Sequence, residues 1–259
     1  MNEALKEQYR DSANFRQRTA LHARFGTSRY GWYRWVFDQI ELGPKPRILE
    51  LGCGPGGLWK RNLERTPEGA LIVLSDFSAG MLRDCASRLG AGRERVRWCQ
   101  LDAAMQPFHD GSFNAVVANM MLYHVQDRPR ALRDIRRVLS AGGALYATTT
   151  GRAYMREMQE TALRILEVPP RGTSADAFGL ESGYEQLRAV FGSVETRRYE
   201  TSLQVTETQP LIDYFLSMKP LISPAPERVA ALRQHFDAVI AERGEIAIPM
   251  DLGMLIARN

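Results

Sequence analysis

Between residues 47 and 150 the chain repeats one pattern: a short, continuous apolar run, then an amphipathic stretch, then another run. The runs fall at 47–52, 70–76, 96–102, 113–122 and 143–150. The stretches around 56–66, 78–89 and 127–139 space their apolar residues at helical intervals. Strands without polar alternation must be covered on both faces, and parallel strands need long crossovers, which helices supply. The pattern confines this region to an α/β parallel sheet with helices on both faces. Over 128–139, Ala131, Leu132, Ile135, Val138 and Leu139 form one stripe and arginines fill the other side. Ala141, Gly142 and Gly143 are expected to stop that helix.

Beyond residue 150 the alternation ends. The spacing predicts a helix around 152–167, a loop at Pro169 and Pro170, and a helix at about 180–191. A strand follows near 193–201, then helices at about 208–218 and 226–243, and a final strand within 246–258. Helices inserted between late strands are suited to lie over the carboxyl edge of the sheet, where open α/β sheets bind ligands. Ahead of the repeat, residues 3–23 read as helical, with a turn near Gly26 and an aromatic stretch over 30–37. The expected organisation is an N-terminal helical cap over 1–43 and a domain over 44–259 with a helical lid at about 206–244. A chain of 259 residues can bury such a core without staples.

The densest signal is Ile48-Leu-Glu50-Leu-Gly52-Cys-Gly54-Pro-Gly56-Gly57, an apolar run entering a glycine cluster and then a helix. Glycines allow a sharp turn and a close ligand approach. A dinucleotide site would space them G-x-G-x-x-G, to set a helix N-terminus against a pyrophosphate. Here the spacing is G-x-G-x-G, preceded by Glu50, which would repel a pyrophosphate and favour a cationic sulfonium or ammonium. Taken alone, the cluster also suits a tight strand–helix turn. The next run ends in Asp76, placed to accept from both ribose hydroxyls or to cap a helix. Phe77 and Met81 offer apolar surface for an adenine ring. The third run ends in Asp102 and Ala103, where a carboxylate can accept from an exocyclic amine. Three successive strands ending in acids point to one nucleoside-like ligand along one sheet edge.

These residues carry a family resemblance. LELGCGPGG, LSDFSAGML, QLDAAMQPFHDGSFNAVVANMMLYHV and ALRDIRRVLSAGGALYATTTG, together covering much of 47–150, resemble the motifs of class I S-adenosylmethionine-dependent methyltransferases. Within that class they resemble the broad type 11 small-molecule group. The resemblance implies a Rossmann-like, seven-stranded, mostly parallel sheet whose last strand is antiparallel. It also implies S-adenosylmethionine as cofactor, with roles for Glu50, Gly52, Gly54, Gly56, Asp76, Phe77, Asp102 and Ala103. Asn119 matches a position beside the cofactor's methionine moiety. Asn114, where the family usually has an acid, and Pro55, where it often has Thr, depart from the pattern.

Methyl transfer chiefly requires alignment of nucleophile, methyl and sulfur, with a general base where a proton must leave. His124, after the fourth strand, and His22, on the N-terminal segment, are the catalytic candidates; each is also consistent with a packed or contact role. Tyr9 and Tyr123 are candidates to line a substrate pocket, and the 31–37 aromatics are expected to pack in the cap. His109 and His235 are expected at the surface. No metal ligands are expected.

The charge is +4, and only four of 34 basic residues are lysines. The arginines are scattered among acids, which reads as a solvated surface rather than a nucleic-acid face. The expected partner is a small-molecule substrate, with no membrane. RNA or protein methylation, and a cofactor fold kept without methyl transfer, are the rival readings. Cys53, Cys85 and Cys99 lack metal or disulfide spacing. The charged N-terminus does not read as a signal peptide. Both point to a cytoplasmic setting.

Overall fold

The computed structural model describes residues 13–169, 172–217 and 224–259. Helices α1 (Ala13–Phe25) and α2 (Trp32–Asp38) come first. Then follow β1 (Arg47–Leu51), α3 (Gly57–Asn62), β2 (Leu71–Asp76), α4 (Ala79–Leu89), β3 (Val96–Gln100), β4 (Phe113–Asn119), α5 (Arg128–Val138) and β5 (Leu139–Thr150). The remainder runs α6 (Arg156–Ile165), α7 (Ser174–Phe178), α8 (Ser182–Arg188), β6 (Ser193–Arg198), β7 (Ser202–Val205), α9 (Thr208–Leu216), α10 (Pro226–Arg243), β8 (Ile246–Pro249) and β9 (Leu252–Arg258).

Seven strands form one sheet in the order β3-β2-β1-β4-β5-β9-β6. All neighbours are parallel except β9, which is antiparallel to both β5 and β6. Strand order reverses between β1 and β4, the place where α/β sheets open a crevice at their carboxyl edge. The strand residues divide between two cores with period two. Ile48, Ala115, Val117, Ala144 and Tyr146 face α2, α3 and α4, joining Val36, Phe37, Trp59 and Cys85. Leu49, Leu51, Val116, Ala118, Leu145 and Ala147 face α5, α7 and α8, joining Leu132, Ile135, Phe178 and Leu187. Helix α5 starts where Asp127 accepts from the Arg130 N–H at 3.1 Å, with a proline in its first turn, and buries the expected stripe. It ends at Val138: residues 139–143 belong to β5, so the Ala-Gly-Gly segment is strand rather than helix stop. Gly142, at φ +73°, turns the backbone within it.

The late strands also differ from expectation. The strand foreseen near 193–201 ends at Arg198 and is followed by an unforeseen one at Ser202–Val205, and the run foreseen within 246–258 breaks in two. Strands β6 and β9 stay in the sheet, while β7 and β8 pair antiparallel as a separate ribbon, Ser202 opposite Pro249 and Val205 opposite Ile246. The breaks are held by polar groups: Asp251 accepts the Gly151 N–H through its carbonyl at 2.8 Å, pairs with Arg198, and accepts the Ala153 N–H through its carboxylate at 3.1 Å. Pro249 at the ribbon's end has no N–H to continue a ladder.

That ribbon anchors a third core. Leu21 and Phe25 of α1 pack with Leu203, Val205, Leu211, Phe215, Phe236 and Ile248, and with Met158 and Ala162 of α6. The Thr27 N–H donates to the Ser202 carbonyl at 2.9 Å, tying the end of α1 to β7. The first described residues therefore divide between two cores: α1 joins the late helices, and α2 joins the sheet. Helix α7, unforeseen, is closed by a capping box between Thr173 and Asp176.

Candidate active site

A cavity of 2090 Å³ lies along the carboxyl edge of the sheet. Its floor is the glycine loop with the ends of β2, β3, β4 and β5; its far walls come from α1, α6, α9 and the segment before α7. Single-ligand pockets commonly hold about 300–1,000 Å³, so this one has room for two molecules side by side.

The glycine loop is shaped by positive φ angles at Gly52 (+64°), Gly54 (+53°) and Gly56 (+73°). Two of these positions exclude any side chain. A Cβ on Gly52 would lie 2.9 Å from Met121 Cβ, and one on Gly56 would lie 2.3 Å from Cys85 Sγ. Asp76, at the end of β2, clamps the loop: the Gly54 N–H donates to its Oδ2 at 2.9 Å, and the Ser78 N–H to its Oδ1 at 2.8 Å. The cap of α4 is Ser78, whose Oγ accepts the Met81 N–H at 3.2 Å. Asp76 is thus not that helix's cap. Burial raises its carboxyl above the ordinary range, against the pull of the Ser78, Gly54 and Phe77 N–H groups.

Glu50 stands behind this wall rather than on it. It is 1% exposed and accepts the Trp59 indole N–H at 2.6 Å. Burial pushes its carboxyl up to about 8; the Trp59 bond opposes this and the nearby Asp76 charge adds to it. Phe77 and Met81 both face the cavity, Phe77 from an exposed position and Met81 from a buried one. Asp102 and Ala103 line it at the end of β3, where the Asp102 carboxylate accepts the Ala104 N–H at 2.9 Å. Asn119 lines it at the end of β4, its Oδ1 accepting from Thr148 Oγ1 at 2.6 Å. The next residue, Met120, has φ +55°, a conformation costing a non-glycine residue about 1–3 kcal/mol, and its N–H is taken up by Thr148.

Tyr123 and His124 sit in a short 3₁₀ turn at the cavity wall, rings 4.4 Å apart and edge to face. His22 faces the same cavity from α1, and its Nε2 is 3.2 Å from the Tyr154 hydroxyl. Burial lowers the His22 imidazole to about 4. Tyr9 lies outside the described residues. His109 and His235 are exposed, as expected. Asn114 accepts the Arg47 N–H and donates to Ser140 at the opposite end of the sheet, away from the cavity. Among the described residues no group of three or more His, Cys, Asp or Glu side chains is arranged to hold a metal.

Tyr154 was not singled out from the sequence. It follows β5 by four residues, and the signal available was its place: the strands' carboxyl ends all converge on this edge. Thr148 and Trp59, which hold Asn119 and Glu50, were likewise missed, because their partners are distant in sequence or buried.

Residues 49–147 match the methyltransferase domain family. The chain is 32% identical over 168 residues to the demethylmenaquinone methyltransferase of Mycobacterium tuberculosis, covering 63% of this chain and 68% of the relative. Among solved structures, the YcgJ protein of Bacillus subtilis aligns over 88% of this chain and 98% of its own, with a TM-score of 0.60 and 17% identity. Phosphoethanolamine N-methyltransferase 2 of Haemonchus contortus, solved with S-adenosyl-L-methionine, aligns over 97% of this chain and 58% of its own (TM-score 0.59, 18% identity). The [4+2]-cyclase SpnF shares the fold at TM-score 0.55 and 21% identity, covering 88% of this chain and 80% of its own. Sheet order, glycine loop and sequence likeness converge: the chain belongs to the class I S-adenosylmethionine-dependent methyltransferases.

Proposed function

We propose that this methyltransferase acts on a small-molecule acceptor held in the same cavity as its cofactor. The observation that carries the reading is a 2090 Å³ cavity with a polar, glycine-lined floor continuing into apolar walls under α1 and α9. The named activity of the mycobacterial relative, on a demethylmenaquinone, supports a small acceptor.

The cofactor, when bound, supplies a methyl group on a cationic sulfur that leaves by in-line displacement. Asp76 fits the ribose hydroxyls: a carboxylate offers about four lone-pair sites, and Gly54 and Ser78 take one on each oxygen. Gly52 and Gly54 let the ligand lie against bare backbone, and Gly56 keeps α3 close to Cys85. Phe77, Met81, Asp102 and Ala103 are assigned to the adenine end, and Asn119, held by Thr148, to the amino-acid end. Glu50 would be drawn into its ionised form by a nearby cation and so stabilise it from behind. His124 and His22 reach the acceptor from two walls, with Tyr123 beside His124. The described parts of the N-terminal cap, from residue 13 to 43, and of the 206–244 insert are assigned the roof over the acceptor.

The arginine excess supports a solvated surface. Among the described residues Arg24, Arg65, Arg137, Arg197, Arg198 and Arg258 all pair with acids. No helix among them is long and apolar enough to cross a membrane. Together with three free thiols, this supports a cytoplasmic setting. The test is transfer of labelled methyl from S-adenosylmethionine into fractionated source-cell extract. Label in the small-molecule fraction is expected; label confined to RNA or protein overturns the acceptor class.

A further inference from the structure

Asn119 closes β4, a strand with β1 on one side and β5 on the other, so the open side of its half-buried side chain is the cavity it lines. An amide could present either its oxygen or its nitrogen there. The choice is made by Thr148 on β5, whose hydroxyl donates to Asn119 Oδ1 at 2.6 Å. Thr148 is 1% exposed, and its Oγ1 also accepts the Met120 N–H at 3.0 Å. A buried hydroxyl hydrogen needs an acceptor, and among the described residues Asn119 Oδ1 is the one it has. With the amide turned over, Nδ2 would become a second donor to Oγ1, and the hydroxyl hydrogen would be left without an acceptor. The network therefore fixes Oδ1 on Thr148 and turns Nδ2 the other way. Nδ2 makes no hydrogen bond to the described residues and is not among their buried unpaired atoms, so its two N–H groups are open to a ligand.

We propose that Asn119 Nδ2 binds the cofactor's carboxylate, with Thr148 as the positioning residue that makes this amide select carboxylate over ammonium. This rests on the assignment of Asn119 to the amino-acid end of S-adenosylmethionine. That end carries two charged groups of opposite hydrogen-bonding character: the ammonium only donates and the carboxylate only accepts. An amide nitrogen only donates, so of the two groups it can bond the carboxylate alone. The bond is also of the stronger, charge-assisted kind. Thr148 touches no ligand in this scheme. It acts 29 residues away in sequence, by occupying the amide oxygen from inside the sheet.

Two compounds isolate the carboxylate: S-adenosylhomocysteine and its decarboxylated analogue, which keeps the adenosine, thioether and ammonium. Each is titrated by calorimetry into the full-length protein and its variants. Asn119→Ala is expected to weaken S-adenosylhomocysteine about tenfold, the size of one hydrogen bond to a charged group, and to leave the analogue unaffected. Asn119→Asp, which offers only acceptors and a like charge, should weaken S-adenosylhomocysteine further and the analogue not at all. Thr148→Val frees the amide to turn over and should weaken S-adenosylhomocysteine about three- to fivefold, again without weakening the analogue. Thr148→Ser, which keeps the hydroxyl, should restore wild-type affinity. Unchanged affinity in the Asn119 variants, or equal weakening of both compounds, overturns the proposal. Loss of both compounds alike in Thr148→Val removes Thr148 from the positioning role. Should Thr148→Val fail to fold, the two Asn119 variants decide, since either can discriminate the compounds without it. Wild type that binds neither compound sinks the reading of the cavity as a cofactor site. Wild type that binds both, with variants that do not discriminate between them, leaves that reading standing and this proposal refuted.

Discussion

Floor and far walls of the cavity enclose one space with different materials. The floor is backbone: three left-handed glycines, strand ends, and carboxylates held by N–H groups one or two residues from a turn. The far walls are side chains: α1, α6 and α9 line the cavity, and behind them these helices pack with α10 and the β7–β8 ribbon around Leu21, Leu211, Phe215 and Phe236. Backbone geometry at a tight turn tolerates few substitutions, whereas apolar packing accepts many residues of similar volume. A site for one fixed cofactor belongs on the first kind of surface, and a site for a variable acceptor on the second.

The sharpest way to break this contrast is at Gly56. Gly56→Val combines a left-handed backbone with a Cβ 2.3 Å from Cys85 Sγ. It is expected to lower cofactor affinity more than 100-fold and to cost several kcal/mol of stability, read by calorimetry and urea unfolding. Behind the far walls, Leu211→Ala should cost about 2–5 kcal/mol of stability and leave cofactor affinity within about threefold. A large loss of affinity there would show that floor and walls are one unit. Asp76→Ala removes the acceptor of the Gly54 and Ser78 N–H groups together with the assigned ribose contact. A loss of about 1.5–3 kcal/mol in cofactor binding is expected, and unchanged affinity would remove Asp76 from that role.

Glu50 gives a pH-dependent test of the floor. Its folded carboxyl, near 8, lies above the ordinary 4.5, so the folded chain keeps a proton that the unfolded chain has lost. The stability this proton confers is complete below about 4.5 and is lost as pH rises through about 8. Compared with Glu50→Gln, the cofactor-free wild type should therefore lose stability between pH 5 and 8.5. A constant difference in urea midpoints would mean that Glu50 is already ionised. The smallest effect is expected at the rim, where Arg24 pairs with Glu207 and both are about half exposed. Arg24→Ala should change stability by less than about 1 kcal/mol.

Much of the floor was legible because its signals are local. The Glu50 to Gly57 run spells its own turn, and Asp76 and Asp102 close adjacent apolar runs on one edge. Glu50 was found by its place before the glycines, but its burial behind Trp59 was not, because that contact depends on where α3 packs. The capping box at Thr173 and Asp176 was present in the sequence and marks a helix that apolar spacing alone missed. The ribbon was missed because β7 lies at 202–205, beyond the strand foreseen at 193–201, while 246–258 is apolar enough to pass as one strand. Only pairing separates β6 from β7 and β8 from β9.

What the sequence determined by itself is therefore the two-sided parallel sheet and its glycine-lined edge, since hydrophobic period and turn chemistry act over a few residues. The tertiary structure alone decided which late segments form the third core, that α1 joins them rather than the sheet, and that His22 meets Tyr154. Those choices rest on contacts between segments more than a hundred residues apart. Their free energy comes from shared burial, to which many pairings contribute alike, so no local pattern along the chain announces them.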